Sequence, residues 1–171
     1  MEQAGVLAFV AGIFVINACR VAGLVELPEA AKGDGVVSAN IIEFLIPKRP
    51  VSLQAKPKSK QEWKNFVRLH AENNWTGLPP IQDSQLRLTL VYLCDESPPD
   101  IDNIIKPIQD ALIGLVYEDD SLIADVDSHR RFLSEPLDLT KLPVLLAEGV
   151  SRGEECVYVR VNQSQSVEDY L

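Results

Sequence analysis

The spacing of apolar and polar positions changes several times along the chain, and each change predicts an element. Asn40 to Ile46 (NIIEFLI) is a short apolar run stopped by Pro47 and Pro50, which predicts a first strand. Val51 to Lys60 has no period and reads as a loop. From Ser59 the pattern turns helical: Trp63, Phe66, Val67 and His70 fall at i, i+3, i+4 and i+7, with Lys60, Lys64 and Arg68 displaced from that stripe. Ser59 and Glu62 have the S-x-x-E spacing of a capping box. The helix is expected to stop near Asn73 and Asn74, before Gly77 and Pro79-Pro80. Leu86, Leu88, Leu90 and Tyr92 alternate with Arg87, Thr89 and Val91, which predicts a half-buried second strand ending at Ser97-Pro98-Pro99. A second helix is predicted from Asn103 to Leu115, with Ile104, Ile105, Ile108, Ala111, Leu112 and Leu115 on its apolar side. Pro107 must lie near its amino end, because deeper in a helix it deletes a hydrogen bond and clashes one turn back. Ser121 to Phe132 and Cys156 to Val161 read as further strands. Between them Pro136 to Gly153 is less periodic, and Leu137 to Leu146, broken by Pro143, suits a short helix or an inserted arm. The polar tail from Asn162 is expected to fray.

These elements predict an α+β domain over residues 39–171, a mixed β-sheet packed by two main helices. The breaker cluster Gly33-Asp34-Gly35 puts its boundary near residue 38, leaving 1–38 as an apolar N-terminal extension. Residues 4–19 are nearly all apolar, yet sixteen helical residues cover only about 24 Å of a ~30 Å hydrocarbon core. The stretch opens with Glu2 and lacks a basic leader, so a cleaved signal is a poor fit. An apolar extension is the expectation; a membrane tether through residues 4–19 is the alternative. Cys19, Cys94 and Cys156 are too few and too far apart for a disulfide framework, which suits a reducing, cytoplasmic setting. His70 and His129 stand 59 positions apart and form no local zinc signature.

Charge then alters the picture. Sixteen Lys and Arg against 25 Asp and Glu give a net −9, wrong for a chain that wraps nucleic acid by bulk charge. The distribution is uneven, however. Residues 95–127 hold ten acids and one base, Lys106, so this segment carries the entire net charge. Residues 47–70 hold seven bases (Lys48, Arg49, Lys56, Lys58, Lys60, Lys64, Arg68) against one acid, Glu62. That patch suits phosphate contact, and Arg130 and Arg131, beside His129, can add to it.

The acidic segment runs Asp100-Ile101-Asp102-Asn103-Ile104-Ile105-Lys106-Pro107-Ile108-Gln109-Asp110-Ala111-Leu112, then Tyr117-Glu118-Asp119-Asp120. Asp100 and Asp102, two apart in extended backbone, point to one side at the entry to the helix. Lys106 is four residues beyond Asp102 and reaches over the same face; Asp110 continues the row and can pair with Lys106 on the helix surface. Asp119 and Asp120 follow from the next strand's start. Carboxylates that converge repel, at about 4 kcal/mol per like pair 4 Å apart at an effective dielectric of about 20. They need a cation or must take up protons. Oxygen ligands without Cys or His select Mg²⁺ or Mn²⁺. Lys106 is the natural positive group for charge building on a phosphate. Asp125 and Asp127 alternate along the next strand with His129 and Arg131, as a solvent face or as support beside a metal.

Read as D-x-D-N-x-x-K-x-x-x-D-A-L, then a short turn and D-D, this segment resembles the RusA family of Holliday-junction resolvases. The likeness covers about residues 98–131, with a weaker match at Pro50 to Lys56. It implies a RusA-like fold and a Mg²⁺- or Mn²⁺-dependent endonuclease, acting as a homodimer on four-way branched DNA and using no small-molecule cofactor. By position, Asp100, Asp102 and Asp120 would be the metal carboxylates, with Asp119 as a possible helper, and Lys106 the catalytic lysine. The acidic balance and the apolar extension depart from the small, often basic family pattern. The alternative function is a module that binds branched DNA without cutting it and holds a structural metal.

Overall fold

The computed structural model describes residues 40–52 and 55–169, so the apolar segment 4–19 and the rest of the 1–38 extension lie outside the described residues. Four strands build one sheet: β1 (Asn40–Ile46), β2 (Leu86–Cys94), β3 (Ile123–Phe132) and β4 (Cys156–Gln163), in the order β1-β4-β2-β3. β4 is antiparallel to both β1 and β2, whereas β2 and β3 are parallel. Parallel neighbours need a crossover. It is supplied by α2 (Asp102–Leu112), which carries the acidic motif. The expected mixed α+β sheet is therefore the observed fold, with three α-helices among the described residues rather than two main ones.

α1 (Pro57–Glu72) and α2 pack together on one face of the sheet, over Leu86, Leu88, Leu90 and Tyr92 of β2. Trp63, Val67 and Ala71 are the buried stripe of α1. That helix starts two residues before the expected Ser59. Pro57 opens it, because a proline has no N–H to leave unsatisfied in a first turn. No side chain caps it, so the Ser59–Glu62 capping box does not form. α2 runs from Asp102, and Pro107 sits in its second turn with its ring buried. The placement costs one backbone hydrogen bond, which burial of the ring offsets.

For the region after β3 the sequence allows a short helix or an inserted arm. That region contains α3 (Val144–Arg152), which packs on the opposite sheet face through Leu146, against Leu45, Leu93, Cys156 and Tyr158. β2 is thus buried on both faces over most of its length, not half buried. Gly153 ends α3 in the left-handed region at φ 66°, where a residue without Cβ meets no steric penalty. Among the described residues, no helix is long and apolar enough to cross a membrane.

The topology fixes where the motif's ends lie. β2 finishes at Cys94 opposite Phe132, and the chain must return along α2 before β3 starts beside Leu86 at Ile123. The first turn of α2 therefore stands at the carboxyl end of β3. The residues just before β3, including Asp120, stand at the other end.

Candidate active site

The loop into α2 is held by Arg49, whose guanidinium donates to the carbonyls of Glu96 (3.3 Å) and Ser97 and lies 3.7 Å from the Glu155 carboxylate. Ser97 has φ 52°, a conformation that a non-glycine residue keeps only when its surroundings enforce it. Arg49 thus steers the chain toward Asp100. Asp100, Ile101 and Asp102 then form one wall of a cleft of about 380 Å³, whose other wall is Ser128, His129, Arg130 and Arg131 of β3. Two carboxylates face a basic strand end, as the crossover requires. Ser128 Oγ is buried with no hydrogen-bond partner among the described residues.

Asp120 opens a one-turn 3-10 helix (Asp120–Leu122). Its carboxylate accepts from Lys106 Nζ, which is also 2.9 Å from Asp110 Oδ1. These hydrogen bonds, donated first to Asp120 and then to Asp110, push the Lys106 ammonium well above the usual lysine range. Asp110 takes a second ammonium, Lys64 of α1, at 2.5 Å. Burial raises the Asp110 carboxyl, but the hydrogen bonds from Lys64 and Lys106 outweigh it and hold the group below its ordinary value. Asp119 caps the 3-10 turn by accepting from the Ser121 N–H at 2.9 Å, and hydrogen bonds from the Ser121 hydroxyl first and its N–H second lower the Asp119 carboxyl. Tyr117 lies fully buried beneath, donating to the Gln109 carbonyl at 2.9 Å.

The sequence-predicted carboxylates thus fall into two groups joined by α2. Asp100 and Asp102 share the cleft, while Asp120 is held by Lys106, one turn along from Asp102. Among the described residues, no three His, Cys, Asp or Glu side chains gather in an arrangement that holds a metal. The donor chemistry still fits a hard divalent ion, since the cleft offers two carboxylates and no thiol.

Several expected DNA contacts are occupied within the protein. Arg49 latches the loop, Lys64 braces Asp110, and Arg68 donates to the carbonyls of Ala111 (3.3 Å) and Ile113 (2.9 Å) at the end of α2. Lys58 pairs with Glu62 at 3.9 Å, and Lys48 stands 5.0 Å over the Phe66 ring. Lys56 precedes α1 and is exposed, and Lys60 is half-buried in its first turn. Arg130 lies over Phe132, and Arg131 donates to the Arg130 carbonyl at 2.8 Å; both remain exposed in the cleft. Asp127 pairs with Arg87, and Asp125 accepts from Ser164. Arg87, Asp125 and Asp127 line a separate hollow with Val126, further back along β3 from the cleft. The sequence reading missed Ser128 and the Lys64–Asp110 bond, and a separation of 46 residues gives no local signal for the latter.

The family model for the endodeoxyribonuclease RusA matches residues 48–137, 90 of the 171, spanning both groups of carboxylates and Lys106. No curated protein matches the chain. With the D-x-D-N motif at the entry to a crossover helix and the lysine of that helix on the next strand's aspartate, the chain belongs to the RusA endodeoxyribonuclease family.

Proposed function

We propose that this endonuclease hydrolyses phosphodiesters of four-way branched DNA in recombination and repair, with Mg²⁺ or Mn²⁺, as a homodimer. The observation that carries the reading is the position of Lys106. It sits one turn from Asp102 and touches Asp120, linking the cleft carboxylates to the third acid of the motif. A bound divalent ion would polarise the phosphate and activate a water. Asp100 and Asp102 would hold it, with Asp120 as the third carboxylate and Asp119 fixing the turn that presents it. Lys106 supplies positive charge where the phosphate gains negative charge. Arg130 and Arg131, exposed at the cleft, orient the strand, with Lys48, Lys56 and Lys60 as further phosphate contacts. Two cuts placed symmetrically on a junction need two sites related by a twofold axis, which supports the dimer. The sparse cysteines support a cytoplasmic setting.

Cleavage of synthetic four-way junctions and linear duplex with either ion tests the reading. Asp102→Asn and Asp120→Asn are each expected to slow cutting by at least about 100-fold. Parent rates in both variants would remove catalysis from these residues. The division of the carboxylates into two groups favours one other reading, a branched-DNA-binding module that does not cut. It predicts salt-sensitive junction binding and no nicks with either ion.

A further inference from the structure

We propose that Asp110 and Lys64 form a brace that fixes both the position and the effective charge of the Lys106 ammonium, so that each is a positioning residue for the endonuclease. The inference rests on the role given to Lys106 above. Asp110 follows Lys106 by one helical turn, a spacing at which many exposed pairs do nothing measurable. This pair differs in being held from a third side. Asp110 divides its two oxygens, Oδ1 to Lys106 at 2.9 Å and Oδ2 to Lys64 at 2.5 Å. Its side chain is 25% exposed, so the carboxylate is confined between α1 and α2.

Two consequences follow from the geometry. Lys106 is 58% exposed on a flexible four-carbon stem, and an untethered lysine there would sample many rotamers. Asp110 limits that freedom from the helix side while Asp120 does so from the strand side. The charges matter as much. Asp110 by itself would cancel Lys106. Lys64 contributes a second positive charge, so the trio keeps one net unit for Asp120 and for a phosphate in its place. An acid at Asp110 without a base at Lys64 would position the ammonium but neutralise it. A base without the acid would leave two repelling ammoniums.

The test is steady-state cleavage of a four-way junction by the full chain and by Asp110→Asn, Lys64→Met and Lys106→Met, singly and in pairs, with ¹³C relaxation at Lys106 Cε. Asp110→Asn and Lys64→Met are expected to lower kcat about 10-fold or more, because small misplacements of a reacting group are costly. KM should stay within about twofold, since substrate binding is not what is lost. In the Lys106→Met background neither substitution should lower kcat further, and Lys64→Arg should recover most of the parent rate. Lys106 Cε should be ordered in the parent and mobile in Asp110→Asn. A brace that only joins α1 to α2 would give losses that add in the Lys106→Met background, and this outcome overturns the proposal. Equal order at Cε in parent and Asp110→Asn overturns it as well. Failure of the underlying reading has a separate signature: Lys106→Met cuts at the parent rate while Cε remains ordered in the parent, and the proposal falls through its premise.

Discussion

At the scale of single residues, burial sets both chemistry and tolerance. Cys156 lies under α3, where burial pushes its thiol up to about 11. The thiolate is the reactive form, so folded Cys156 is expected to resist alkylation at pH 8. Peptide mapping after iodoacetamide treatment should find it unmodified until denaturant is added; rapid native labelling would contradict its burial. Gly149 of α3 faces the same thiol. A Cβ there would stand 3.2 Å from Cys156 Sγ and 3.4 Å from Leu45 Cδ2. Gly149→Val is therefore expected to destabilise by about 1–3 kcal/mol through overpacking, read as a lower denaturant midpoint at unchanged slope. Neither effect is visible in the sequence, where Cys156 is one isolated cysteine and Gly149 one unremarkable glycine. The acidic residues differ. The spacing of Asp100, Asp102, Lys106 and Asp120 is dense enough to mark the motif in the sequence, but not to show that Asp120 stands apart from the cleft that holds Asp100 and Asp102. In the sequence Lys64 reads as a DNA contact, because its charge is visible there and its partner, 46 residues away, is not.

At the scale of elements, period and breakers located the four strands among the described residues and the helices α1 and α2. Their ends were less secure. α1 begins at Pro57 because proline suits a first turn better than the Ser59 box, and these signals compete within three residues. The segment Pro136 to Gly153 hid α3, since Pro143 looks like an interruption when it is the residue just before the helix. The other end of α3 makes a prediction. Gly153 holds φ 66° with open space around its Cα, so Gly153→Ala meets no clash and tests backbone strain by itself. It should cost about 1 kcal/mol, by the left-handed penalty of a residue with a Cβ. A stability change near zero in chemical denaturation would mean that the cap relaxes into another conformation.

At the scale of the whole molecule, the phenols make alkaline pH the weak side of the fold. Burial raises the hydroxyls of Tyr92, Tyr117 and Tyr158, assisted by Glu155 at Tyr92, by Asp120 and Asp110 at Tyr117, and by Glu43 at Tyr158. A group raised in the folded state contributes stability that is full below its ordinary value, here 10.0, and is lost as pH climbs above it. The protein should therefore unfold cooperatively above pH ~10. In a Tyr170→Phe chain, which leaves these three phenols, phenolate absorbance near 295 nm should rise together with loss of ellipticity. Absorbance rising near pH 10 in a chain that keeps its ellipticity would sink the prediction.

The sequence by itself determined the four described strands, the first two helices and the family, because these depend on neighbours within a few turns of backbone. It could not determine which chemical groups meet. The parallel pairing of β2 with β3 obliges α2 to run back along the sheet, and this puts Asp102 beside residues 128–131 while Asp120 lies in the 3-10 turn that precedes the strand at its other end. The packing of α1 on α2 then brings Lys64 to Asp110. Such meetings depend on the direction in which the chain returns, and that is settled by burying both faces of one sheet at once, a condition no local stretch of residues contains.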